Sequence, residues 1–259
     1  MGSTWPARLA TALFLMLIGA NTSVWARDNK PLDLVATTGM VADAVRAVAG
    51  DRAEVASLMG EGVDPHLYKL TRSDTVRLMR ADAVFYNGLH LEGKMIDALT
   101  RLAESGRPVF AVAAAIDPTR LLSPAGLPDQ HDPHVWMDPV LWMAVVDGVR
   151  DRLSALDPEG AALYAANADA YRADLKELDT YARRVLGSIP ETTRVLVTSH
   201  DAFHYLGRAY GLEVRGIQGI STDSEASLRD IEDLVRLLVE RRIPAVFAET
   251  SVSERSLRA

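Results

Sequence analysis

The sequence predicts an α/β protein with mostly parallel sheets, arranged as two βα lobes with one long helix between them. Three observations carry this. Short runs rich in Val, Leu, Phe and Thr alternate with helical stretches between residues 32 and 113, the pattern of βα units on a parallel sheet. A Pro- and Asp-rich stretch at 117–139 then breaks the alternation, and a long periodic segment follows at 157–187. From residue 194 the alternation restarts.

The first 26 residues stand apart. Arg8 supplies a small positive region, LATALFLMLIGA (9–20) an apolar core, and SVWA ends on Ala26 with Val24 two positions before it. This is the layout of an export signal cleaved after Ala26. The apolar run is too short to span a membrane comfortably.

The mature part opens with the strand LDLVATTG (32–39) and a helix through MVADAVRAVAG that stops at Gly50. AEVASLM (53–59) is the second strand, running into a glycine loop that carries His66. A helix near Thr71–Arg80, the strand AVFYNG (83–88), a helix around Lys94–Glu104 and the strand PVFAVA (108–113) follow. Residues 117–139 read as loop. The long helix is expected to start with Asp157 as its cap and Pro158 in its first turn, a favoured pairing. Tyr164, Tyr171, Leu175, Leu178, Ala182 and Val185 give it one apolar stripe, and Gly187 and Pro190 end it. Such a helix can be a packing element or a rigid strut between lobes. RVLVTS (194–199), EVRGIQG (213–219) and AVFAETS (245–251) are the strands of the second lobe, with helices at 202–211 and over SLRDIEDLVRLLVERR. The closing SVSERSLRA looks like the start of another helix. The boundaries are therefore 1–26 signal, 27–156 first lobe, 157–187 linking helix and 188–259 second lobe.

Composition narrows the function. With 28 Lys+Arg against 35 Asp+Glu, the net charge of -7 argues against a nucleic-acid partner. There is no cysteine. A disulfide framework, thiolate metal sites, thiol catalysis and the acylated cysteine of a lipoprotein are all excluded for these residues.

The histidines are the informative side chains. Asp-Pro-His occurs twice, in GVDPHLY (62–68) and DPHVWMDP (132–139). An Asp-Pro pair stiffens the backbone and opens a turn, presenting the next side chain from a fixed loop. In open parallel sheets, ligands sit beyond the carboxyl ends of the strands. His66 follows the second strand's loop, His134 lies in the loop leading toward the long helix, and His200 follows RVLVTS. Together they make a better metal set than any one suggests alone. Neutral imidazole suits zinc, and acceptably manganese or iron. His90, His131 and His204 read as structural or exposed. His200 and His204 are four apart, but Asp201 stands where a zincin would need glutamate. No G-x-S-x-G elbow, Gly-rich phosphate loop or H-E-x-x-H is present. Glu249, at the end of AVFAE, is a candidate to orient a ligand imidazole from the outer shell, to act as a general base, or to be an edge carboxylate.

The phrases VDPHLYKLTRSD, ADAVFYNGLHLE, DPHVWMDP, VLVTSHDAFHYLGRAYGLEVRGIQGISTDSEAS and PAVFAETSVS resemble the zinc/manganese solute-binding proteins of bacterial ABC importers, with the TroA-like members nearest. The likeness runs in order from about Leu34 to the last residue. It implies two βα lobes bridged by one long helix, one zinc or manganese ion in the cleft between them, and delivery of that ion to an importer permease in the membrane. It also implies a soluble, monomeric periplasmic protein that is not an enzyme. By the same resemblance the metal ligands fall on His66, His134 and His200. The family's fourth ligand, an aspartate, lies in a segment this chain does not reach, so the second lobe is expected to be incomplete. Two departures stand out: His204 occupies a position where relatives carry a small residue, and the long His-rich loop of zinc-dedicated relatives is absent. The competing reading is an exported metal-dependent hydrolase using the same histidines with Glu249 as base.

Overall fold

The computed structural model describes residues 30–124 and 130–253. The export segment at 1–26 and residues 254–259, which carry most of the expected closing helix, lie outside the described residues.

Strands β1 (Leu32–Ala36), β2 (Ala53–Ser57), β3 (Ala83–Tyr86) and β4 (Val109–Ala111) form one parallel sheet in the order β2-β1-β3-β4. The register runs Leu32↔Ala53 to Ala36↔Ser57 on one side of β1 and Leu34↔Ala83 to Ala36↔Phe85 on the other. As an inner strand, β1 is covered on both faces, and Leu34, Val35 and Ala36 are fully buried. Successive side chains alternate between faces. Leu34, Ala36 and Phe85 join one core with α1 (Gly39–Ala49) and α4 (Pro139–Leu156). Val35 and Val84 join another with α2 (Arg72–Arg80) and α3 (Ile96–Glu104).

Local signals explain these helices. Thr38 caps α1 through Val41 N, and Gly50 closes it at φ 54°. Thr71 and Asp74 form a capping box at α2.

Helix α4 was not anticipated, since the loop was expected to lead straight to the long helix. Asp138 caps it, accepting from Val140 N at 2.9 Å and Leu141 N at 3.2 Å, with Pro139 in the first turn. Leu141, Val145, Val149 and Leu153, each four apart, are buried in the core they share with α1 and α5. The same Asp-Pro start predicted at Asp157 fails as a cap. The Asp157 carboxylate instead takes Arg52 at 2.6 and 2.9 Å and the Tyr164 hydroxyl at 2.5 Å. With both carboxylate oxygens engaged by Arg52 and Tyr164, residues 158–160 form a 3-10 turn without a side-chain cap, and α5 begins at Ala161.

Helix α5 (Ala161–Gly187, 27 residues) is about 40 Å long at 1.5 Å per residue. Its first half lies on the first sheet's helices. Tyr164, Ala168 and Leu175 are buried, Asn167 donates to Val48 O at 3.0 Å and the Tyr171 hydroxyl to Asp43 at 2.6 Å. Its second half meets α6 (His204–Tyr210) through Tyr210–Asp179 at 3.2 Å and Arg183–Ala209 O at 3.1 Å. The helix therefore bridges the two sheets. The predicted stripe holds only to Leu175. Leu178 and Val185 are 50% and 41% exposed, because the contacts with α6 are polar.

The second sheet pairs β5 (Val195–His200) and β6 (Glu213–Gln218) in parallel, from Val195↔Glu213 to His200↔Gln218. Gly211, at φ 73°, turns the chain out of α6 toward β6. Helix α7 (Leu228–Arg241) follows with a Ser227/Asp230 capping box. The strand expected at 245–251 reduces to a single bridge, Thr198↔Phe247. Phe247 N reaches Val197 O at 2.8 Å, but the next N–H donors are taken by side chains: Glu249 N by Ser199 Oγ, and His200 N by the Glu249 carboxylate. The ladder stops where the histidine site begins.

Candidate metal centre

Both Asp-Pro-His phrases make the same local turn. Asp64 Oδ1 accepts from His66 N and Asp132 Oδ1 accepts from His134 N, each at 2.9 Å. An aspartate bonding the backbone two residues on forms an Asx turn, and the intervening proline fixes its own φ. His200 needs no such device because it is the last residue of β5.

These three elements converge. His66 Nε2 lies 3.3 Å from His134 Nε2, which lies 3.3 Å from His200 Nε2. The three ligand atoms fall within 4.8 Å of one another, and the residues are 3%, 2% and 6% exposed. Two nitrogens bound at 2.0–2.1 Å to one tetrahedral zinc ion would be about 3.3 Å apart. Two of the three separations match that spacing, and the third is close enough for the trio to hold a single ion. A cavity of about 720 Å³, lined also by Trp136, Met137 and Glu249, opens onto it.

The far nitrogens of two rings face carboxylates. His134 Nδ1 is 2.7 Å from Asp132 Oδ1, and Asp132 is only 1% exposed. An ionised carboxylate only accepts, so this contact places the proton on Nδ1 and leaves the Nε2 lone pair free for a cation. His200 Nδ1 is 2.7 Å from Glu249 Oε2, close in distance but not aligned as a hydrogen bond, while Glu249 Oε1 accepts from His200 N at 3.0 Å. For His66, burial first and the neighbouring His134 second push the pKa down to about 4. Its imidazole is thus neutral, the form that binds metal.

Neighbouring elements clamp the His134 loop from both sides. Asn87, just past β3, donates to Pro133 O at 3.0 Å, and Tyr205 of α6 donates to Asp132 O at 3.0 Å. Glu92, fully buried and with its pKa raised by that burial, accepts from Thr37 Oγ1, Asn87 N and Gly88 N. It thereby joins the carboxyl ends of β1 and β3 beneath the site.

The structure brings His66, His134 and His200 together and sets Glu249 against His200. The other histidines stay apart. His90 is exposed at φ 64° after β3, His131 contacts Ser123, and His204 pairs with Asp201 at 2.7 Å. All three line a separate cavity of about 900 Å³ that His66 also borders. Sequence reasoning missed the roles of Asp64 and Asp132, although their repeated place two residues before a histidine was the available signal. It also missed Gly216. A Cβ there would lie 2.5 Å from Asp201 N and 2.7 Å from the His200 carbonyl carbon, so only glycine lets β6 approach the His200 backbone.

A buried trio of imidazoles at the carboxyl ends of two parallel sheets, joined by one long helix, defines a two-sheet α/β protein built around a candidate metal centre. The chain belongs to the family described as zinc-uptake complex component A, periplasmic (ZnuA), whose profile matches residues 34–259. It is 47% identical over 254 residues to the manganese-binding lipoprotein MntA of Bacillus subtilis, covering 97% of this chain and 82% of that one. It is 44% identical over 234 residues to the zinc-binding protein TroA of Treponema pallidum, covering 90% and 75%. Among solved structures, the periplasmic zinc-binding protein TroA of Treponema pallidum superposes with a TM-score of 0.84 at 43% identity, over 88% of this chain and 81% of that one. Fe(III)-bound YtgA of Chlamydia trachomatis gives 0.78 at 29% identity, over 88% and 83%.

Proposed function

We propose that this protein captures one divalent transition-metal ion, zinc or manganese, outside the inner membrane and delivers it to the permease of an ABC importer. The observation that carries the reading is the convergence of His66, His134 and His200 Nε2 at the spacing one ion requires. His66, His134 and His200 are the ligands. Asp132 and Glu249 orient His134 and His200 from behind. Relatives whose names specify zinc or manganese binding support the choice of cargo.

The reading includes export directed by residues 1–26 and action as a soluble monomer, with lobes at 27–156 and 188–259 joined through 157–187. The 259 residues hold no cysteine to carry an acyl chain. In the described residues no helix is long and apolar enough to cross a membrane.

The hydrolase alternative loses its base. Both Glu249 oxygens face the backbone N–H and Nδ1 of His200, on the side of the ring away from Nε2, where an attacking water would bind.

The test is elemental analysis of protein purified without chelator, followed by titration with zinc and manganese. One ion per chain, with no metal-dependent turnover of ester or phosphoester substrates, is the expected result. Absence of stoichiometric metal, or turnover that depends on it, would overturn the reading.

A further inference from the structure

The Asp64 carboxylate serves two sheets at once. One oxygen accepts from the backbone N–H of His66 at 2.9 Å, and the other accepts from the Thr222 hydroxyl at 2.6 Å. Thr222 lies in the loop that follows β6 and is only 8% exposed. This loop is tied to the first lobe a second time, by Lys94 Nζ to Asp223 Oδ1 at 2.8 Å. A Cβ on Gly93, the residue before Lys94, would be 3.5 Å from His66 O, and one on Gly62 would be 3.6 Å from Thr250 O. The His66 loop thus packs on Gly93 of its own lobe and meets the second lobe at two points, Thr222 and Thr250.

The two ties differ in weight. Lys94 and Asp223 are 43% and 44% exposed, and ion pairs in water contribute little. The Thr222–Asp64 bond has a carboxylate acceptor and is partly buried, which makes it the stronger kind. Moving the loop after β6 away from the His66 loop breaks that bond and frees the aspartate that fixes His66. His66 and His200 belong to different sheets, so separating those sheets would take one imidazole out of the trio.

We propose that Thr222 is a positioning residue for the metal centre. Acting through Asp64, its hydroxyl holds His66 in register with His200 and sets how fast the ion leaves. The inference rests on the reading of His66 as a ligand.

The experiment is a chelator chase of zinc from the loaded full chain, followed by stopped flow. Thr222→Val and Thr222→Ala should each release zinc about tenfold faster, the lower end of what losing an outer partner of a ligand costs. Association rates should stay at the wild-type value, and Thr222→Ser, which restores the hydroxyl, should release zinc at the wild-type rate. In an Asp64→Ala background, Thr222→Val should add nothing, because its effect runs through that carboxylate. Wild-type release from both Thr222→Val and Thr222→Ala would overturn the proposal. So would an acceleration that persists undiminished in the Asp64→Ala background. Should Thr222→Val not fold, Thr222→Ala removes the same hydroxyl with less bulk and decides alone. A wild-type chain that binds no zinc would overturn the metal-centre reading itself, a result distinct from these.

Discussion

Replacing Asp132 by asparagine should weaken metal binding while leaving the metal-free fold intact. Asp132 Oδ1 accepts from His134 N at 2.9 Å and from His134 Nδ1 at 2.7 Å, and its other oxygen is buried without a hydrogen-bond partner among the described residues. Asparagine keeps the shape and one acceptor, so the Asx turn survives. What is lost is the negative charge behind a ring that must donate electron density to a cation. Hydrogen bonds to charged groups are worth roughly 1.5–3 kcal/mol against 0.5–1.5 for neutral ones. The difference of about 1–1.5 kcal/mol corresponds to about five- to twelvefold in affinity. That approaches the lower end of the roughly 10–100-fold measured for outer partners of metal ligands. In the metal-free protein the weaker bonds to His134 are offset by removing the charge of a buried carboxylate whose second oxygen has no partner, so the net change in stability is small. Zinc affinity would be measured by competition with a fluorescent chelator at neutral pH, and the metal-free melting temperature by calorimetry. Affinity should fall by about tenfold with the melting temperature little changed. An affinity equal to wild type, or a loss matched by a lower metal-free melting temperature, would refute the reasoning.

His66→Ala, His134→Ala and His200→Ala should each weaken metal binding by at least about tenfold, and His90→Ala should leave it unchanged, as titration calorimetry would show. The metal-free protein should lose stability as pH falls. Its His66 has a pKa near 4 against 6.5 when unfolded, so between these values the unfolded chain binds a proton that the folded chain refuses. Stability is therefore unaffected above pH 6.5, falls by roughly 3 kcal/mol from there to pH 4 and falls no further from this group below it. Urea titrations across that range check this, and His66→Gln should flatten the slope. Gly216→Ala forces a methyl group against the His200–Asp201 backbone at 2.5–2.7 Å. It should destabilise the chain by about 1–3 kcal/mol and weaken metal binding as well, read as a lower melting temperature and a poorer titration.

The parallel strands were legible because β1, β3 and β5 are apolar runs bounded by turn residues, and burial on both faces writes itself into the sequence that way. The three histidines were legible because each follows a strand's carboxyl end or an Asp-Pro corner. What escaped was competition between partners. Asp138 and Asp157 both precede proline, yet one caps a helix and the other binds Arg52, more than a hundred residues earlier. No local pattern announces so distant a guanidinium. The final strand failed for a related reason: AVFAETS has strand composition, but the site's own side chains, Ser199 and Glu249, take the donors a ladder would use. Asp64 and Asp132 were visible only as spacing, since their second contacts, Thr222 and the His134 ring, depend on tertiary placement.

The central claim is that His66, His134 and His200 bind one ion together, and X-ray absorption spectroscopy of the zinc-loaded protein tests it most directly. The account predicts a first shell containing three imidazole nitrogens at about 2.0–2.1 Å, falling to two in His134→Ala. A shell with fewer than three imidazoles, or one unchanged in His134→Ala, would contradict it.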